Sequence, residues 1–327
     1  MYTALAKDTY KGQGDISATR LISPPRIVTL RKFHEDEIEE DASQRIWSLL
    51  GSSVHRINEL SAGPNIKVEE RQSMKVKGID LPEGPWEWEV TAQSDVLDLS
   101  TNELFDYKVT SVWSVLFGEK PEWERQLNIQ AGLHRHNGDT VLAGSIVAIM
   151  RDWQVSKARF EKEYPKVAVL KLGVPMWPQH EVLEYITKRV KVHQQAQLDY
   201  ENSGMDSSVL PMCTDAERWY RGGGFAVKKK NTKTGVENKK ADRVFDNKTD
   251  ALQFIADNPI DKSLKPKGRT SPAKDKVYII EERVGEYKRC MDYCDVVNFC
   301  SFGRKLKEDE RAKQEALVNE EKAGEEE

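Results

Sequence analysis

The chain has 327 residues, with 50 Lys plus Arg against 54 Asp plus Glu and a formal net charge of −4. That length accommodates one large or two small domains, and the charge balance excludes a uniformly polybasic nucleic-acid binder, so any nucleic-acid contact must come from local patches. No apolar run approaches the ~20 residues that span a bilayer, and residues 1–15 lack the apolar segment of a signal peptide. A soluble, cytoplasmic protein is the expectation, with no membrane partner.

Residues 1–15 read as loosely ordered. In ISATRLISPPRIVTLRKFH, Pro24 and Pro25 break any helix that begins near Ser17. A helix is expected over Glu35–Leu50, with Ile38, Ile46, Leu49 and Leu50 on its apolar side, continuing through Leu60. His55 and Glu59 are four apart and share a face. Taken singly, each reads as an ordinary surface or packing residue.

Val68–Lys77 is expected as a first strand. Trp86–Leu97 and Glu103–Thr110 then form a hairpin, because apolar/polar alternation is interrupted by Ser100, Thr101 and Asn102. On the second strand Asp106 and Lys108 point to one face. Phe105, Tyr107 and Val109 are expected on the other, in a core. The hairpin brings Asp95 beside Asp106. Two carboxylates with an ammonium suit a hard divalent cation bound through oxygen. A hairpin whose polar face merely meets water is the alternative, since D-x-K is a common tripeptide.

Pro121–Arg135 reads as a helix with proline at its first position. Trp123, Leu127 and Ala131 repeat at helical spacing toward the sheet, and Gln126 and Gln130 form an i, i+4 pair. That pair is either plain polar surface or a contact to a phosphate backbone or to a metal-bound water. Thr140–Met150 is a buried strand, and Val167–Leu172 a further one. Trp153–Tyr164 is a short charged helix. Glu181–Glu201 is a long polar helix on which Lys188, Arg189 and Lys191 form a solvated face.

From Cys213 the composition shifts. Gly222–Gly224 mark a loop that matches no phosphate-binding fingerprint. Strands at Phe225–Lys230 and Lys240–Phe245, a helix at Asn247–Asn258 capped by Asp246 or Asn247, a loop at Lys262–Lys276 and a strand at Val277–Val284 make a small β-β-α-β module. Its hairpin carries Lys228, Lys229, Lys230, Lys233, Lys239 and Lys240, either as a solvated hairpin or as a DNA contact. After Gly303 the chain is polar and ends acidic, as disordered tail or frayed helix. Three of four cysteines, Cys290, Cys294 and Cys300, crowd together downstream of Cys213, which points to metal more than to disulfides. On a helix, Cys290 and Cys294 would have Cβ atoms ~5–6 Å apart, too far for a disulfide.

The ordered series G-S-x-x-H-x-x-x-E, an aspartate about forty residues on, D-x-K, and a helix carrying glutamine resembles the PD-(D/E)xK nucleases, in particular the RecB-like exonuclease branch with its AddB-type, CRISPR-associated and phage members. The likeness covers roughly Ser17–Arg135 and, more loosely, the cysteine region. It implies an α/β fold, a mixed central sheet flanked by helices, with the β-β-α-β module inserted. Residues 1–205 would be the nuclease core, 206–303 a cysteine-clamped module, and 304–327 a disordered acidic tail.

The resemblance also implies roles. His55, Asp95, Asp106 and the Tyr107 carbonyl would ligate Mg2+ or Mn2+. Lys108 would position the attacking water, and Glu59 would support the ligands. Gln126 matches the glutamine of the family's Q-x-x-x-Y motif, which helps place DNA, whereas Gln130 stands at the tyrosine position. Lys228, Lys229 and Lys230 would add DNA contacts. Cys213, Cys290, Cys294 and Cys300 would hold a 4Fe–4S cluster. The trio's C-x3-C-x5-C spacing and the position of Cys213 depart from the family, so a structural zinc is the alternative. The implied activity is metal-dependent DNA hydrolysis, an exonuclease rather than a sequence-specific endonuclease, working with a helicase or a single-strand annealing protein. The alternative is a catalytically silent, nuclease-like DNA-binding subunit.

Overall fold

The computed structural model describes residues 14–39, 46–116, 120–260 and 275–325. The chain divides into two units: Met1–Met212 with Asn298–Ser301, and Cys213–Val297 with Phe302–Glu327.

The first unit is built on a six-stranded mixed sheet: β1 (Ile16–Ser17), β2 (Ile66–Leu81), β3 (Gly84–Asp98), β4 (Glu103–Thr110), β5 (Ala143–Met150) and β6 (Val169–Val174). β3 is its hub, pairing parallel with β1 and antiparallel with β2 and β4. β4 pairs parallel with β5, which pairs antiparallel with β6. Around the sheet run α1 (Ala18–Ile22), α2 (Pro25–Phe33), α3 (Ile46–Asn58), α4 (Val112–Leu116), α5 (Pro121–His136), α6 (Val155–Phe160) and α7 (Gln179–Asn202). The expected α/β class and mixed central sheet are both present.

Met74 and Val76 on β2 are buried while Lys75 and Lys77 between and beyond them are exposed, the period of a strand covered on one side. With Trp88, Val90 and Ala92 of β3 they meet Ile129 and Leu133 of α5 and Val182, Ile186 and Val190 of α7. Each such fully buried aliphatic side chain contributes roughly 1.5–3 kcal/mol. A second cluster joins Leu97 and Leu104 of the β3–β4 hairpin to Leu127 and Ala131 of α5. Thus α5 is pressed onto the strands that carry the D-x-K residues.

Buried polar side chains fix the remaining geometry. Gln194 of α7 straddles the β2–β3 hairpin: its Oε1 accepts from Ile79 N at 2.9 Å and its Nε2 donates to the Trp86 carbonyl at 2.9 Å. Gly78 lets it approach, since a Cβ there would meet Gln194 Oε1 at 1.7 Å. Arg189 donates to the carbonyls of Leu21 (2.8 Å) and Ser23 (2.6 Å), satisfying orphan groups at the end of α1. It is therefore not part of a solvated face, as the polar pattern of that helix had implied.

Several expectations need correcting. The stretch expected as one helix from Glu35 is a 3-10 turn at Glu35–Glu37 and then α3 from Ile46; residues 40–45 lie outside the described ones. The first strand, β1, has only two residues and so carries no periodicity from which the sequence would predict it. On β4 the faces are reversed: Leu104 and Asp106 are buried, while Phe105, Tyr107 and Val109 are only half-buried. The covered face is the one toward α5, so the carboxylate sits under a helix rather than on an open ribbon.

The second unit contains β7 (Tyr220–Arg221), β8 (Gly224–Asn231), β9 (Arg243–Phe245), α8 (Lys248–Asp257), β10 (Lys276–Arg283), β11 (Glu286–Tyr287) and α9 (Lys288–Asp292). β8 is central, antiparallel to β9 and β10. Asn247 caps α8 by accepting from Asp250 N at 2.8 Å. The loop expected over Lys262–Lys276 lies mostly outside the described residues. From Ser301 to Glu325 the chain is helical (α10), so the polar tail takes the helical of its two expected forms. Among the described residues no helix is long and apolar enough to cross a membrane.

Candidate metal centre

Seven of the sequence-predicted residues of the first unit line one cleft of about 600 Å³: His55, Glu59, Asp95, Asp106, Lys108, Gln126 and Gln130, joined by Glu69 and Arg71 of β2; Tyr107 is not among its lining residues. The hairpin register explains how. Val96 lies opposite Phe105, which sets Asp95 across from Asp106. Val68 opposite Val96 and Glu70 opposite Ser94 likewise set Glu69 across from Asp95. α3 delivers His55 above both.

His55 Nδ1 lies 2.9 Å from Glu69 Oε1 and 3.2 Å from Asp95 Oδ1. Hydrogen bonds from Asp95 first and Glu69 second push its pKa up to about 10 against the opposing effect of burial. Asp95 Oδ2 accepts from the Tyr107 backbone N–H at 2.6 Å. Glu69 Oε2 accepts from Gln93 Nε2 at 2.8 Å, and Gln93 Oε1 accepts from Arg71 at 2.7 Å. The ligand atoms of His55, Glu69 and Asp95 lie within 4.8 Å of one another.

Asp106 is 2% exposed, and burial pushes its carboxyl pKa up against the downward pull of Lys108. Its Oδ1 accepts from Gln126 Nε2 at 3.2 Å. Its Oδ2 lies 2.7 Å from Lys108 Nζ yet accepts no aligned hydrogen bond, and Lys108 also donates to Gln126 Oε1 at 3.1 Å. That buried carboxylate oxygen without an aligned donor lies across the hairpin from Asp95 and suits a divalent cation by donor chemistry, but Asp106 is not in the group that His55, Glu69 and Asp95 form within 4.8 Å.

α5 organises this arrangement through Gln126, Gln130 and His134, one face at i, i+4 and i+8. Gln130 Nε2 donates to the Gln93 carbonyl at 3.0 Å, while its own Oε1 is buried without a hydrogen bond. His134 pairs with Ser94 Oγ and Asp139 Oδ2, each at 2.7 Å. Glu70, His134 and Asp139 form a second donor group, but the Lys67 ammonium lies 2.9 Å from Asp139 and 3.0 Å from Glu70 and supplies its countercharge. Glu59 stands at the cleft in the 3-10 turn after α3 and pairs with Arg56.

Glu69 escaped the sequence reading. It lies in EERQ, where charge obscures strand alternation, and only the β2–β3 register reveals that it faces Asp95. Elsewhere the expected residues are placed less tellingly. Lys228 pairs with Glu281, Lys229 with Asp242 at 2.5 Å and Lys230 with Glu237 at 3.4 Å, so the hairpin's charge is largely met within its own unit. Among the described residues none of the four cysteines forms a disulfide. Cys294 lies beyond α9, so helical spacing does not govern its distance from Cys290. Cys213, Cys290 and Cys294 belong to the second unit. Cys300 belongs to the first, where its Sγ accepts from the buried Arg26 guanidinium at 3.3 Å.

No protein-family model matches the chain, and no curated protein does. Among solved structures it is similar to SSO0001, at 14% identity and a TM-score of 0.40, over 64% of this chain and 94% of that one. It is also similar to LHK-Exo, solved in complex with dAMP, at 11% identity and a TM-score of 0.31, over 58% and 94% of the two chains. Identities and scores this low leave the function of the cleft to be argued from its own residues.

Proposed function

We propose that the chain is a metal-dependent DNA nuclease, acting as an exonuclease, with its centre in the carboxylate-lined cleft. The supporting observation is the convergence of His55, Asp95, Asp106 and Lys108, distant in sequence, around one cavity. The PD-(D/E)xK resemblance gives the same four residues. His55, Asp95, Asp106 and the Tyr107 carbonyl would hold Mg2+ or Mn2+. A divalent cation supplies an acidified water and offsets charge on a phosphate.

The chain's own residues do the rest. Asp106 and Gln126 hold the Lys108 ammonium in place, where it orients the scissile phosphate or the attacking water. Arg56 and Glu59 flank the entrance. Gln126 and Gln130 set the floor of the cleft more than they read a strand, since their amides already engage Asp106, Lys108 and Gln93. DNA would be held through its phosphates, with binding that weakens as salt rises. Contacts from Lys228, Lys229 and Lys230 would have to displace their acidic partners. A helicase or single-strand annealing protein would present the substrate. The four cysteines are proposed ligands of a 4Fe–4S cluster, with zinc as the alternative. A visible spectrum and metal analysis of anaerobically purified protein separate the two, and finding neither removes the proposal.

The test is degradation of end-labelled linear DNA in Mg2+ or Mn2+. Asp106→Asn and Lys108→Gln should each abolish it while circular dichroism stays native. Full activity in either folded variant overturns the assignment. DNA binding without degradation in any divalent ion would favour the silent DNA-binding subunit, for which Gln130 in place of tyrosine is the motivating feature.

A further inference from the structure

We infer that Glu69 is a direct cation ligand, completing with His55 and Asp95 a mixed nitrogen and oxygen site that selects Mn2+ over Mg2+. The inference rests on the proposed metal centre but not on DNA cleavage. Glu69 belongs to no part of the motif series, and it comes from β2, the strand before the hairpin. Its Oε1 shares His55 Nδ1 with Asp95 Oδ1, and its Oε2 is held by Gln93. All three donors meet within 4.8 Å.

A separate observation points to an occupant. Gln130, 2% exposed, lines the same cleft, and its buried amide oxygen accepts no hydrogen bond. A buried acceptor of this kind is normally satisfied, and a hydrated cation carries the missing donor. Donor type sets the selectivity. Mg2+ favours oxygen ligands and keeps several waters, whereas an imidazole nitrogen beside carboxylates suits a first-row transition ion.

Glu69 also has φ 51°, a left-handed backbone in the interior of a strand. Glutamate tolerates that region poorly, while asparagine adopts it readily. Glu69→Asn should therefore hold or raise the melting temperature while removing the ligand. A merely structural carboxylate would not part stability from binding in this way.

The experiment is Mn2+ titration of the full chain by electron paramagnetic resonance, with Mg2+ as competitor. Wild type should bind Mn2+ at least about tenfold more tightly than Mg2+. Glu69→Gln and Glu69→Asn should each lose at least about tenfold in Mn2+ affinity. Glu70→Gln, next in sequence but in the Lys67 and Asp139 group, should bind as wild type. Unchanged Mn2+ affinity in both folded Glu69 variants overturns the inference and leaves the nuclease reading standing. Equal affinity for the two ions overturns the selectivity. Glu69-dependent Mn2+ binding without DNA degradation overturns the nuclease reading instead.

Discussion

Acidification should destabilise this protein through His193. The ring is fully buried on α7, with Nε2 3.0 Å from the Leu21 carbonyl and 3.1 Å from Arg189 Nη2. Burial first and the Arg189 charge second lower its pKa from 6.5 to about 4, opposed by the Leu21 carbonyl. The unfolded chain thus takes up the proton before the folded one. This stability is complete above about pH 6.5, falls as the pH drops toward 4, and is flat below. A shift from 6.5 to about 4 corresponds to roughly 3 kcal/mol at 1.36 kcal/mol per unit. His193→Gln keeps an N–H for the Leu21 carbonyl but does not titrate. Urea unfolding of both proteins at pH 7, 6, 5 and 4 isolates the effect: the wild-type advantage should shrink by roughly 3 kcal/mol across the series. Parallel curves for the two proteins would refute the assignment of this linkage to His193.

Three further outcomes are expected. Lys108→Met leaves Asp106 buried beside Asp95 without its ammonium and should cost about 3 kcal/mol at neutral pH; the loss should diminish as the pH falls, because burial raises the carboxyl pKa and favours the neutral form, and thermal melts across a pH series read it. Gly78→Ala should cost about 1–3 kcal/mol by forcing Gln194 from the β2–β3 hairpin, and in a Gly78→Ala, Gln194→Ala double mutant the losses should fall well short of additive in chemical denaturation. Leu133→Ala on α5, fully buried against the sheet, should cost about 2–5 kcal/mol in the same assay.

Much of this site was legible in the sequence because its residues sit on elements with strong periodicity. Asp106 and Lys108 fall on a strand bounded by Ser100–Asn102, and Gln126 and Gln130 on a helix opened by Pro121. What escaped depended on pairing between elements. Glu69 acquires its meaning from the β2–β3 register, which no local pattern encodes. The reversal of the β4 faces has a similar origin: an aspartate reads as exposed until α5 is known to cover it. The lysines of the inserted module read as a basic patch because Asp242 and Glu281, which meet them, come from flanking segments of the chain.

The three side chains that α5 turns toward the strands lie four residues apart, and that regularity constrains how the gene can change. A codon gained or lost between Gln126 and His134 would swing every later side chain about 100° around the axis, parting His134 from Ser94 while Gln126 kept its hold on Asp106. Descendants can therefore exchange residues in this helix but not alter their number. Beyond Leu81, where the long hairpin turns back, extra pairs of residues would merely lengthen the ribbon, so size differences among relatives should gather there.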